Sequence, residues 1–225
     1  MRRKVLSFIF IFFLFLSLFS NIPTFTPLLN KPLDISTLPY ETLSSTEINS
    51  IMMMREEEKL ARDVYLTLYD AWNIQIFYNI ATRAEQIHMD SVKNLIDKYK
   101  LDDPVKDDTI GIFTDERMQK LYYDLVTLGM KSEIDALKVG ATIEDLDIYD
   151  LDNSLKETDN QDIKLVYENL IKGSENHMRA FINTLKQYEA SYEPQFITME
   201  EFQRILNSTN TMQQNNSQQY KGGKK

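Results

Sequence analysis

Apolar side chains recur at steps of three and four from Ser44 to Tyr188, the spacing of one helix face rather than of a strand. Ile51, Met54, Glu58, Ala61, Tyr65, Leu68 and Trp72 form the first stripe. Ser44 stands where an N-cap belongs, with Glu47 three residues on to complete a capping box. A second helix is predicted from near Ile74 to near Tyr99, with Phe77, Ala81, Glu85, His88, Val92, Leu95 and Tyr99 on its inner face. The loop "LDDPVKDDTIGIFTDERM" follows. A shorter helix over about 115 to 128 is then expected, capped by Thr114 and stopped at Gly129. Ser132 suits the N-cap of the next helix, which carries Leu137, Ala141, Glu144, Ile148, Leu151 and Leu155, with Asp147 one turn beyond Glu144. The last long helix begins after "TDNQD" and shows Ile163, Val166, Leu170, Ser174, His177, Phe181 and Tyr188. "ITMEEFQRIL" reads as a short terminal helix capped by Thr198.

The four long stripes share an anomaly. Each puts a carboxylate, an imidazole or both where Leu or Ile would be expected: Glu58; Glu85 with His88; Glu144 with Asp147; and His177. An unpaired buried carboxylate is costly or must hold a proton. The chain has 2 histidines, and both fall in mid-helix on a core face. Divalent cations resolve the conflict, because carboxylate oxygen and imidazole nitrogen suit iron, manganese or zinc. A Glu-x-x-His pair also projects both side chains from one helix face. Glu56 and Glu57 are expected to face solvent beside Glu58, although a register shift of one position stays open. Tyr65 is read as packing, Met52 to Met54 as core and surface, and Arg62 either as a partner of an inner carboxylate or as a surface charge.

Composition narrows the alternatives. Six glycines and six prolines are few for a turn-rich β architecture. No cysteine is present, which excludes disulfides, thiolate metal sites and a cysteine nucleophile. A formal charge of -9 argues against a nucleic-acid partner. The opening "MRRKVLSFIFIFFLFLSLFSNIP" has a basic start and an apolar run, which predicts an export signal over residues 1–22 or a retained N-terminal anchor. The expected location is therefore secreted or extracytoplasmic, with membrane contact only through that segment. Residues 23–43 read as a linker, 44–206 as the helical domain and 207–225 as a disordered polar tail.

"REEEKLARDVY", "AEQIH", "VGATIEDLDIYDL" and "VYENLIKGSENHMRAF" together resemble the domain-of-unknown-function family 2202, a branch of the ferritin-like superfamily, over about residues 44 to 206. The resemblance implies an all-α fold: a ferritin-like four-helix bundle with an extra short helix in the crossover and a short C-terminal helix. It also implies two divalent metal ions, iron or manganese, with zinc as a further candidate. "EKLARDVY" is similar to the first-helix motif of the rubrerythrin branch, which favours Glu58 over Glu57 as ligand. "EQIH" matches the second-helix Glu-x-x-His, and "EDLD" is similar to a third-helix Glu-x-x-Glu with Asp147 shortened by one methylene. The expected ligand set is Glu58, Glu85, His88, Glu144, Asp147 and His177. One departure stands out: the fourth helix has Ser174, not Glu, three residues before His177. The implied activity is redox chemistry on Fe(II), oxygen or peroxide, with metal ions and small oxidants as partners. A non-enzymatic metal-sequestering bundle and a structural interaction domain are the alternatives. Whether the chain forms a homo-oligomer stays open.

Overall fold

The computed structural model describes residues 31–208. The described residues are helical, with no strand among them. The elements are α1 (Ser45–Trp72), α2 (Gln75–Asn79), a π-helical turn (Ile80–Glu85), α3 (Gln86–Tyr99), α4 (Glu116–Gly129), α5 (Glu133–Lys156), α6 (Gln161–Gln187) and a final helix, α7, over 199–208. α2, the π-helical turn and α3 run on from one another as one rod.

Local chemistry sets the helix ends. Ser44 and Glu47 make the expected capping box at the start of α1, and Ser132 accepts from the amide of Asp135 at the start of α5. Such a cap stabilises by about 1 kcal/mol. α1 ends on Asn73 in the left-handed conformation and α3 on Lys100 likewise. At α4 the cap is Asp115 rather than Thr114, because the Thr114 hydroxyl is taken by the Pro104 carbonyl while Asp115 accepts from the Arg117 amide.

Cross-contacts give the helix directions. α3 runs antiparallel to α1, with Met89 beside Arg55 and His88 beside Glu58. α5 also opposes α1: Glu144 meets Tyr65 at one level, and Glu47 meets Thr158 and Asn160 just past the end of α5. α6 runs alongside α1, with Tyr167 against Ser50. The result is two antiparallel pairs joined by a single crossover that contains α4. Two apolar clusters fill the interior, one around Tyr65, Phe77, Leu137 and Phe181, the other around Ile51, Leu95, Ile163 and Tyr167. The acidic and imidazole side chains lie along the bundle between them.

The crossover covers the outer face of α1. Arg55 pairs with Asp103, Arg62 with Asp108, and Lys59 donates to the Thr109 carbonyl. Asp63 accepts from the Gly111 amide at 2.9 Å. Glu56, expected in solvent, is buried because one of its oxygens accepts from the amides of Thr114 and Asp115. Asp145 does similar work at the other end. It accepts from the amides of Gln195, Phe196 and Ile197 and from the Tyr192 hydroxyl, tying the segment before α7 to α5. Residues 33–39, part of the expected linker, lie along α3: Ile35 is buried, and Lys98 donates to carbonyls of Leu38 and Pro39.

The expected extracytoplasmic location is corrected. Among the described residues no helix is long and apolar enough to cross a membrane, and nothing in the structure supports export. The segment 1–22 on which that expectation rested lies outside the described residues, as does the polar tail beyond Ser208.

Candidate metal centre

The six side chains singled out by the sequence come from five elements, and all but Asp147 fall into two close groups. α1 brings Glu58; the π-helical turn and α3 bring Glu85 and His88; α5 brings Glu144 and Asp147; α6 brings His177. All are buried, the two histidines being the most exposed at 8%. The π-helical turn has a part in this convergence. Phe77, Ala81 and Glu85 are spaced by four twice, and each such step drifts roughly 40° around an α-helix. The wider turn absorbs that drift, so Glu85 stays on the inner face. The Thr82 hydroxyl donates to the Tyr78 carbonyl at the start of this turn.

Two groups of three emerge, each with one ligand atom per residue within 4.8 Å of the others: Glu58, Glu85 and His88; and Glu85, Glu144 and His177. Glu85 belongs to both. Its Oε2 lies 3.2 Å from His88 Nδ1, and its Oε1 lies 3.0 Å from His177 Nδ1. Glu58 Oε2 is 3.1 Å from His88 Nδ1, and Glu144 Oε2 is 3.4 Å from His177 Nδ1. The two imidazoles stand with ring centroids 5.5 Å apart.

Proton and charge chemistry at this cluster is strained. Burial pushes the Asp147 carboxyl well above its ordinary range, and the charges of Glu58 and Glu144 push the same way. Burial likewise raises Glu58 to about 7, against the pull of His88. Glu144 is raised by burial as well. Burial also acts to raise Glu85, but the imidazoles of His177 and His88 together outweigh it and hold its carboxyl well below the carboxylate range. Burial disfavours protonated His177, yet Glu144 and Glu85 raise it to about 9. His88 is raised in the same manner by Glu58 and Glu85.

Hydrogen bonds leave this cluster incompletely satisfied. Glu85 Oε1, Glu144 Oε2, Asp147 Oδ2 and His177 Nδ1 are buried and make no hydrogen bond. The close approach of His177 Nδ1 to Glu85 is therefore off the hydrogen-bonding direction. Buried polar atoms without partners are rare in native proteins and cost about 1–3 kcal/mol each. His88 Nδ1 is paired with Glu58 and Glu85, but the unpartnered oxygens and nitrogen around Glu85, Glu144 and His177 are the donor types that suit divalent cations.

Three further residues shape the centre. The Tyr65 hydroxyl donates to Glu144 Oε1 at 2.6 Å, which fixes that carboxylate and leaves its other oxygen turned inward. Tyr65 is therefore more than packing, though its ring also stacks with Phe77 and Phe181. Gly173 makes room for His88: a Cβ there would lie 2.3 Å from His88 Nε2. The signal available in the sequence was a glycine inside a helix, where it costs about 1 kcal/mol relative to Ala. Glu57, expected in solvent, is buried on the α5 side with Oε2 unpartnered. Ser174 donates to its own helix at the Leu170 carbonyl, so the position three before His177 presents no ligand.

Gly173→Ala is expected to force the His88 ring aside. Overpacking of this kind costs about 1–3 kcal/mol. If the two groups each hold an ion, metal titration should show weaker binding at the His88 position and unchanged binding at the His177 position; wild-type affinity at both would refute the cradle.

Fold and site define a class first: an all-helical bundle with a buried carboxylate and histidine centre. Residues 47–209 match the family described as "Uncharacterized protein domain (DUF2202)", and the chain belongs to that family. It is similar to "Uncharacterized protein MJ0754" of Methanocaldococcus jannaschii, 58% identical over 175 residues, covering 78% of this chain and 94% of that one. It is also similar to the crystal structure titled hypothetical protein MJ0754 from Methanococcus jannaschii. The TM-score is 0.75 at 57% identity, covering 76% of this chain and 97% of that one.

Proposed function

We propose that this chain is a ferritin-like bundle that binds two divalent metal ions, iron or manganese, and carries out redox chemistry on Fe(II), oxygen or peroxide. The observation that carries this reading is the double role of Glu85, which two three-residue groups share. Bundles of this superfamily set inward Glu and Glu-x-x-His groups on facing helices. The single crossover between two antiparallel pairs is consistent with the same architecture. Glu58, Glu85 and His88 would hold one ion, and Glu85, Glu144 and His177 the other. Asp147, buried and with Oδ2 unpartnered, would replace the carboxylate that Ser174 does not supply.

When bound, two such ions supply Lewis acidity and one-electron steps toward small oxidants. The chain's own residues set the surroundings. Tyr65 orients Glu144, and such supporting partners tune a metal ligand strongly. The Tyr65, Phe77 and Phe181 rings pack together beside the site, with centroids 5.3–5.9 Å apart, and keep that side apolar. The deep burial of every proposed ligand also favours a second reading, a closed bundle that sequesters the ions without turnover.

Element-resolved metal analysis of the full chain, as purified and after loading with Fe(II) or Mn(II), is expected to give two ions per chain. Asp147→Asn should weaken one ion and spare the other. If no metal binds, both readings fail. If Asp147→Asn is stabilised and binds metal normally, the ligand role given to Asp147 is wrong, since removing a merely buried charge is neutral or stabilising. Aerobic Fe(II) consumption beyond stoichiometric uptake distinguishes catalysis from sequestration.

A further inference from the structure

Glu57 has no role in the two-ion centre, yet it is only 4% exposed and its Oε2 has no hydrogen-bond partner. Asp150 on α5 stands opposite it, in the antiparallel register that sets Tyr65 against Glu144 and Glu47 against Thr158, and the Asp150 charge acts on Glu57. Asp150 lies one turn from Asp147, and Glu57 adjoins Glu58. Asp150 is partly exposed, whereas Asp147 is buried. Asp150 thus stands at the outer edge of the α1–α5 seam, with Glu57 and the proposed ligands further in. An unpartnered buried carboxylate facing a second, half-exposed carboxylate at the edge of a two-ion centre fits a divalent cation better than it fits packing.

We infer that Glu57 and Asp150 form a third, weaker divalent-cation site, a staging position through which ions pass along the α1–α5 seam to the centre. The inference rests on the two-ion reading. The staging site offers two carboxylates and no imidazole, so it holds an ion less tightly than the centre and releases it inward.

The test mixes metal-free full-length protein with Co(II) and follows its visible absorption and the total ions bound. Wild type is expected to take up two ions tightly and a third weakly. Glu57→Gln and Asp150→Asn should each abolish the third and keep the tight two. Filling should slow by at least about tenfold, the low end of what electrostatic guidance contributes. Glu85→Gln should lose the tight ions instead. Wild type that binds no Co(II) overturns the two-ion reading and this inference with it. Two tight ions filling at the wild-type rate in both variants overturn the staging site alone. Loss of a tight ion in Glu57→Gln would make Glu57 a ligand of the centre and overturn it too. Asp150→Asn, at a partly exposed position, keeps the test valid if the buried variant folds poorly.

Discussion

On the two-ion reading, Glu85→Gln is expected to remove both metal ions at once, the largest effect of any single substitution in this chain. Its two oxygens face different histidines, His88 on one side and His177 on the other. An amide keeps the volume but supplies neither the charge nor two equivalent acceptors. His88→Ala and His177→Ala should each damage a different ion position. Binding to the folded state alone contributes about 4 kcal/mol per ion at a thousandfold excess over the dissociation constant. At about 2–4 °C per kcal/mol for a chain of this size, each bound ion raises the melting temperature on the order of 10 °C. Wild type should show the sum of two such shifts, each histidine variant about one, and Glu85→Gln almost none. Parallel melting curves with and without Mn(II) read this out. A full metal-induced shift in Glu85→Gln would contradict the shared-ligand arrangement.

The second large effect is with pH, and it has opposite signs with and without metal. In the metal-free protein Glu58 is raised from 4.5 to about 7 and His177 from 6.5 to about 9. A raised folded-state value means that the folded chain holds the proton more tightly than the unfolded chain. The stabilisation from Glu58 is full below about pH 4.5 and is lost as the pH rises through 7. That from His177 is lost between pH 6.5 and about 9. Asp147, Glu144 and His88 act in the same direction. Glu85 acts the other way, and only on the acid side, where its lowered value makes stability fall with the pH. The metal-free protein should therefore melt at a lower temperature at pH 8 than at pH 6. Cations must displace these protons, so their affinity rises over the same interval and proton release accompanies binding. The gap between metal-loaded and metal-free melting temperatures should widen from pH 6 to pH 8. A constant gap, with no protons released in unbuffered titration, would show that the ions bind elsewhere.

The sequence made the inner face of the bundle legible and its outer coverings opaque. Steps of three and four located the long helices because burial of one face imposes that period. The same stripes carried Glu58, Glu85, His88, Glu144 and His177 inward, and the structure brings these together. Arg55, Glu56, Lys59, Arg62 and Asp63 look like a solvated helix face. They are buried because backbone amides and carbonyls and acidic side chains of the crossover reach them, and a loop's path leaves no period to read. Thr114 was the natural cap by residue type, but a carbonyl ten residues earlier competed for its hydroxyl. Glu57 was assigned to solvent from its place beside Glu58, a rule that fails where α5 packs across that face.

The π-helical turn at Ile80–Glu85 means that this rod contains one residue more than an α-helix making the same number of turns. Loss of a residue there could be absorbed by tightening to ordinary α geometry, with Phe77 still among the aromatic rings and His88 still beside Glu58. Loss of one within Gln86–Tyr99 would instead rotate every later side chain by roughly 100° and turn Val92, Leu95 and Tyr99 out of the core. The turn is thus a place where relatives of this chain can differ in length by one residue while keeping both halves of the rod in register.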